Sequence, residues 1–204
     1  MNKAEIPRKT VYRLSVYYRV LLALKNIDTV SSEALATAAG VKSTQLRKDL
    51  AYFGQLGTRG LGYSVPALTA RLSEVLGAAR LQPVILVGAG HLGSALLRYG
   101  GFAKEGFEVV AAFDLDASRE RARDLSIPVY SMENLPAFIT EKKIKLAILT
   151  VPGAVAQEVC NNLIKSGVQA ILNFAPVVLH TPEQIVVKNV DLAIELENLS
   201  YFIR

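Results

Sequence analysis

The sequence predicts an α/β chain in two parts, a short helical unit at the amino end followed by a doubly wound parallel sheet. Three observations carry this expectation. Charge is unevenly placed: residues 1–80 hold 12 Lys and Arg against 5 Asp and Glu, a net of +7, whereas residues 81–204 hold 11 against 13, a net of −2. Apolar periodicity is helical in the first part and then changes to strand-length apolar runs separated by helical segments. A glycine-rich turn, "VGAGHLG", lies where the first of those runs gives way to a helix. With 204 residues, 51% of them hydrophobic, the chain can bury two separate cores.

The first part opens with "TVYRLSVYYRVLLALKN", in which Val11, Leu14, Tyr18, Leu21 and Leu22 fall on one stripe and are expected to face a core. Two shorter helical patterns follow, "SSEALATAAG" and "KSTQLRKDLAYF". Ala36, Gly40 and Leu46 have helix-turn-helix spacing: a small residue at the crossing, a glycine for the turn and an apolar residue packing back. Ser43 is expected to cap the third helix, whose Leu46, Leu50 and Phe53 point inward. The polar residues Ser43, Thr44, Gln45, Arg47 and Lys48 are then left for base edges and phosphates of a major groove.

The next stretch, "GQLGTRGLGYSVP", has four glycines and suits a tight β-ribbon with Arg59 at its tip, a wing able to place that arginine in a minor groove. Arg8 belongs to the same basic set and completes the predicted DNA-binding residues. The plainer alternative leaves Arg47, Lys48 and Arg59 as solvated surface charges. The segment "PALTARLSEVLGAARLQ" is expected to be a linker helix.

Beyond it, the runs "PVILVG", "EVVAAF", "PVY", "KLAILTV", "QAILNF" and "QIVVKNV" predict a parallel sheet covered on both faces. Gly88, Gly90 and Gly93 form G-x-G-x-x-G directly after a strand, as in the Rossmann dinucleotide fold: the first permits the turn, the second lets backbone approach a pyrophosphate, and the third lets helix pack on strand. Ala89, His91 and Leu92 complete the predicted loop contacts. Asp114 closes the second strand, 26 residues after Gly88, and can accept hydrogen bonds from the adenosine ribose.

Its charge would repel a 2′-phosphate and so favours NAD(H), with Arg119 nearby leaving NADP(H) as an alternative. Asp114 could instead cap the following helix, a role open also to Asp116 and Ser118. Thr150, Val151, Pro152, Asn173 and Phe174 lie at carboxyl ends of later strands, where open α/β sheets bind ligands, although each also reads as an ordinary loop residue.

Other functions find little support. Cys160 is single and reads as a buried core thiol, and two histidines without a cysteine cluster supply too few ligands for zinc, so no metal site is expected. No acid–base set follows the nucleotide loop to serve a hydride acceptor, so no catalytic residues are assigned. No apolar stretch reaches 18 residues and the opening "MNKAEIPRKT" is polar, which predicts a cytoplasmic protein.

Taken together, "YYRVL", "STQLRKDLAYFGQLGTRGLGY", "VILVGAGHLGSALLRY", "AAFD" and "DLAIELENLSYF" resemble the Rex family of redox-sensing transcriptional repressors over nearly the whole chain. The resemblance implies a homodimer of winged-helix and NAD(H)-binding Rossmann domains that holds palindromic operator DNA when NADH is scarce and leaves it when NADH binds. It implies a redox switch of Arg13, Tyr99 and Asp191, with an Arg13–Asp191 pair holding the DNA-competent arrangement and Tyr99 changing partners as the dihydronicotinamide arrives near Phe174. Taken singly, these three read as a surface charge, a core aromatic and a helix cap.

His91 departs from the family, where asparagine is expected in many members. The apolar stripe Leu192, Leu196, Leu199 and Ile203, widened by Ile194, Tyr201 and Phe202, either docks on its own domain or, as the family implies, is exchanged with the partner subunit.

The expected organisation is a winged-helix DNA-binding domain with linker helix over 1–80, a Rossmann NAD(H)-binding domain over 81–190 and a domain-swapped dimerisation helix over 191–204. The expected function is redox-responsive repression without catalysis. A small NAD-dependent oxidoreductase with an accessory helical domain, or a coenzyme A or nucleotide binder on the same fold, stand as alternatives.

Overall fold

The structure, a computed structural model, describes residues 6–58, 60–116 and 126–203. The chain divides into two compact units, Met1–Arg80 and Leu81–Arg204.

The first unit runs α1 (Arg8–Ala23), β1 (Thr29–Val30), α2 (Ser32–Ala38), α3 (Ser43–Ala51), β2 (Gly57–Thr58), β3 (Gly62–Ser64) and α4 (Val65–Leu76). Helices α2 and α3 form the helix-turn-helix: Gly40 has a φ of +67° in the turn, and Ala36 and Leu46 are buried where the helices cross. Strands β2 and β3 pair antiparallel as the expected wing, and β1 adds a third strand in the order β1-β3-β2. Leu14, Tyr17 and Leu21 of α1 meet Leu35, Leu46, Leu50, Leu68 and Leu72 in one core.

Two expectations are corrected here. The buried face of α1 is Thr10, Leu14, Tyr17 and Leu21, whereas Val11 and Leu22 are 41% and 38% exposed. Its cause is polar: the hydroxyls of Thr10 and Tyr17 are drawn inward to Asp49. The cap of α3 is Lys42, without a side-chain bond, and Ser43 is the first helical residue. Helix α4, the expected linker helix, buries Val65, Leu68 and Leu72 of one face in the core shared with α1.

The second unit contains β4 (Gln82–Val87), α5 (His91–Leu97), α6 (Gly101–Lys104), β5 (Phe107–Asp114), β6 (Val129–Ser131), α7 (Leu135–Lys142), β7 (Leu146–Leu149), α8 (Gly153–Ser166), β8 (Ala170–Asn173), β9 (Val186–Asn189) and α9 (Leu192–Phe202). All six strands are parallel, in the order β6-β5-β4-β7-β8-β9. This is the doubly wound order that reverses direction beside the first strand, and so creates a crevice between β4 and β7.

The continuous apolar runs follow from burial on both faces. Ile85, Val87, Ala147 and Leu149 enter one core together with Cys160, while Val84, Leu86, Ala112 and Ile148 enter the other. Burial pushes the Cys160 thiol pKa up, as expected of a core cysteine. None of the described helices is long and apolar enough to cross a membrane.

Candidate nucleic-acid and nucleotide sites

In the first unit, Thr44, Arg47 and Lys48 project from α3 into solvent, and Arg8, exposed, is the first residue of α1. Ser43 and Gln45 are half-buried. Arg47 donates through Nη1 to Ser32 Oγ at 3.1 Å and so reaches back to the start of α2. Gln45 is less free than the sequence suggests, since its Nε2 donates to Asp49 Oδ1 at 3.0 Å. Arg59, expected at the wing tip, lies outside the described residues, as do Ser118 and Arg119.

Beneath this face lies a feature the sequence reading missed. Asp49 is only 1% exposed and accepts hydrogen bonds from Arg13 Nε and Nη2 at 2.6 and 2.7 Å. Tyr17 Oη donates at 2.8 Å, Gln45 Nε2 at 3.0 Å and Thr10 Oγ1 at 3.2 Å. Burial alone would push the Asp49 carboxyl pKa up, but the bonds from Arg13, Tyr17 and Gln45, with the charge of Arg13, outweigh it and hold the carboxyl below its ordinary value. The same contacts raise the Arg13 pKa; burial, then the bond to Asp49, raises that of Tyr17. The signal was present in the sequence: Asp49 shares the face of Leu46, Leu50 and Phe53 at helical spacing.

Within its own unit Arg13 is held by Asp49. Asp191 caps α9, accepting from the backbone N–H groups of Ala193 and Ile194. Tyr99 is not a core aromatic: it is 59% exposed, with its ring edge-on to Phe102 at 5.1 Å between centroids.

In the second unit, the predicted nucleotide residues gather at the carboxyl ends of four adjacent strands. The loop Gly88–Gly93 follows β4, Asp114 ends β5, Thr150–Pro152 follow β7, and Asn173 and Phe174 end β8. Thr150 ties the two sides of the crevice together, its Oγ1 donating to the Gly88 carbonyl at 2.8 Å. Ser94, which the sequence reading also missed, donates to the carbonyls of Ala89 and Gly90 at 3.0 and 2.6 Å and fixes the loop from beneath.

The three glycines are not equivalent. Gly88 has a φ of +100°, and a Cβ there would come within 2.7 Å of the Thr150 carbonyl oxygen. At Gly93 a Cβ would collide with the Gly88 carbonyl. At Gly90 it would meet nothing within 4 Å. Two glycines therefore serve the fold, while the third leaves open the place a pyrophosphate requires, and the loop fits a dinucleotide on this ground. His91 and Leu92 border that opening and are exposed.

Asp114 lies against the same loop: Oδ2 accepts the Ala89 N–H at 2.7 Å and Oδ1 the Asp116 N–H at 3.0 Å. Its carboxylate is thereby fixed at the end of β5, beside the loop, where an adenosine ribose would lie. Asn173 is fully buried, and both ends of its amide are engaged, Oδ1 with the Ala175 N–H and Nδ2 with the carbonyl of Val177 and Oδ1 of Asn189. Within this unit it shapes the turn that carries Phe174, which is half-buried. No group of three or more His, Cys, Asp or Glu suited to a metal exists among the described residues.

The chain's likeness to known proteins covers both units. A family model described as "CoA binding domain" matches residues 80–177, and one described as "Putative DNA-binding protein N-terminus" matches residues 5–51. The redox-sensing transcriptional repressor Rex of Pelotomaculum thermopropionicum is 45% identical over 203 residues, spanning 98% of this chain and 95% of that one. A crystal structure of RSP with β-NAD+ and operator DNA superposes with a TM-score of 0.88 at 34% identity, covering 97% of this chain and 92% of RSP. RSP with β-NADH gives 0.82 at 32% identity, covering 98% and 94%.

Proposed function

The chain belongs to the Rex family of redox-sensing transcriptional repressors, and on that premise we propose that it is an NADH-responsive repressor, cytoplasmic and homodimeric, that performs no net chemistry. It holds palindromic operator DNA while NADH is scarce and leaves it when NADH binds. The observation that carries this reading is the presence, in one chain, of a nucleotide cradle open at Gly90 and a basic winged-helix unit of net charge +7. The cradle occupies the place where an oxidoreductase of this fold binds its cofactor, but the companion unit is built to meet a polyanion.

Gly88–Gly93 would hold the pyrophosphate, Asp114 the adenosine ribose, and Thr150–Pro152 with Phe174 the nicotinamide end. A bound dinucleotide supplies a redox-dependent charge, positive on the oxidised nicotinamide and absent on the reduced one. Tyr99, Arg13 and Asp191 are the residues assigned to read it. In the first unit, Arg8, Thr44, Arg47 and Lys48 serve the operator, with Ser43, Gln45 and Arg59 completing the face.

Dimerisation is assigned to α9. None of its residues is buried, and Leu192, Ile194, Leu196, Leu199, Tyr201, Phe202 and Ile203 are 52–84% exposed. That much apolar surface on one helix calls for a cover, and a second copy exchanging the same helix provides it symmetrically.

The test is an operator titration across a salt series, using duplexes whose half-sites lie about one helical turn apart, roughly 34–36 Å. NADH is expected to weaken binding by about ten- to a hundredfold, equivalent to about 1.4–2.8 kcal/mol of coupling. Operator affinity indifferent to NADH, or steady hydride turnover with added substrates, would overturn the reading.

A further inference from the structure

The first unit buries a carboxylate where an apolar side chain would pack more simply. A buried ion pair is weak evidence for stability, because desolvation offsets its attraction, but it imposes directional geometry on the elements that share it. Asp49 is such a residue. Its donors come from two helices: Thr10, Arg13 and Tyr17 lie on one face of α1, and Gln45 lies one turn before Asp49 on α3. These bonds fix the rotation of α3 about its own axis, and with it the direction of Thr44, Arg47 and Lys48.

Arg13 is gripped along one edge only. Its Nε and Nη2 reach the two oxygens of Asp49, and Nη2 also donates to Thr10 Oγ1 at 3.2 Å. Nη1 has no acceptor among the described residues, and the side chain remains 23% exposed. The guanidinium is thus anchored on the recognition-helix side and open on the other. Exchanging Asp49 for another acceptor would leave a buried carboxylate with three neutral donors; adding a second acceptor at Nη1 breaks no bond at Asp49.

We propose that Asp49 is a positioning residue of the redox response: it keeps its grip on Arg13 in both states, so that a force applied at the Nη1 edge reaches the recognition helix and turns α1 and α3 together. Arg13 is shared and not exchanged. This rests on the reading of the chain as an NADH-responsive repressor, and it adds a member to the switch, on the helix that enters the groove.

The experiment uses the full-length dimer and measures operator affinity without cofactor and at saturating NADH, together with NADH affinity in the absence of DNA and thermal stability. The unmodified protein comes first: if NADH does not weaken its operator binding, the repressor reading itself fails, whatever Asp49 does. Given that response, Asp49→Asn is expected to bind NADH normally while its NADH-induced loss of operator affinity shrinks from about ten- to a hundredfold to below about threefold.

Tyr17→Phe removes a neutral donor to the same carboxylate and leaves both Arg13–Asp49 bonds in place, so it should melt lower yet keep the full response. Arg13→Lys guards against misfolding of the asparagine variant: it preserves the charge and one contact with Asp49, but lacks a second edge, and is expected to bind operator and lose the response. A full response in Asp49→Asn or Arg13→Lys, or an equal loss in Tyr17→Phe, would reduce Asp49 to a structural residue and overturn the proposal.

Discussion

The two units prepare for phosphate-bearing partners with opposite materials. The winged-helix unit relies on side chains: cations project from α3 and are held in direction by a charged network buried one layer below, around Asp49. The nucleotide unit relies on backbone and on missing side chains, with Gly88 and Gly93 allowing loop, helix and strand to pack closely and Gly90 leaving space. Function and stability are therefore separable in different ways. In the first unit they are divided between surface and interior, and in the second between neighbouring glycines of one loop.

The largest effect should come from the interior of the first unit. Arg13→Ala leaves the Asp49 charge buried with only neutral donors, at an expected cost of about 3–5 kcal/mol. Because the Asp49 carboxyl is held below its ordinary value, its contribution to stability is present above the unfolded pKa of about 3.9 and is lost as pH falls through the folded pKa. Denaturant unfolding at neutral and acid pH should therefore show the gap between the unmodified protein and Arg13→Ala narrowing in acid. A gap independent of pH would mean that the charge of Asp49 is not what Arg13 compensates.

A smaller effect separates the glycines. Gly93→Ala forces a methyl group against the Gly88 carbonyl and should destabilise the second unit by about 1–3 kcal/mol, whereas Gly90→Ala meets open space and should leave its melting nearly unchanged. NADH binding should be lost in both. Equal melting of the two variants would contradict the division of labour within the loop.

The smallest effects on stability belong to the exposed cations. Arg47→Ala and Lys48→Ala should melt within about 0.5 kcal/mol of the unmodified protein, as surface changes usually do. Each should weaken operator binding and lower the slope of log affinity against log salt by about one where a phosphate contact is lost. NADH affinity should be unaltered. Asp114→Ala should behave in reverse, keeping cofactor-free operator binding while losing NADH affinity and its discrimination against NADPH.

The contrast also explains what could be read from the sequence. The four inner strands of the large sheet announce themselves as apolar runs, because burial on both faces admits little else, and the glycine loop is visible because backbone constraints name the residue they require. The helix-turn-helix follows from Ala36, Gly40 and Leu46, and the wing from its glycines. The interior polar network did not stand out, since a lone acid inside "LRKDLAYF" reads as a solvated charge until its face is compared with that of Leu46 and Leu50.

The choice between the adjacent residues Tyr17 and Tyr18 turned on the same point: apolar periodicity favours either, and it is the hydroxyl bond to Asp49 that selects Tyr17. Nothing in the periodicity of helix α4 says that its apolar face packs against α1. The two-residue strand β1 is too short to leave a pattern.

If the two units communicate, linkage gives a direct measurement of the coupling. If NADH weakens operator affinity by some factor, operator DNA must weaken NADH affinity by the same factor. Calorimetric titration of NADH into the free dimer and into the dimer saturated with operator is predicted to differ by about ten- to a hundredfold, matching the shift seen when DNA is the titrant. Identical NADH affinity in the two titrations would contradict the account, because the nucleotide and DNA sites would then share a chain without sharing free energy.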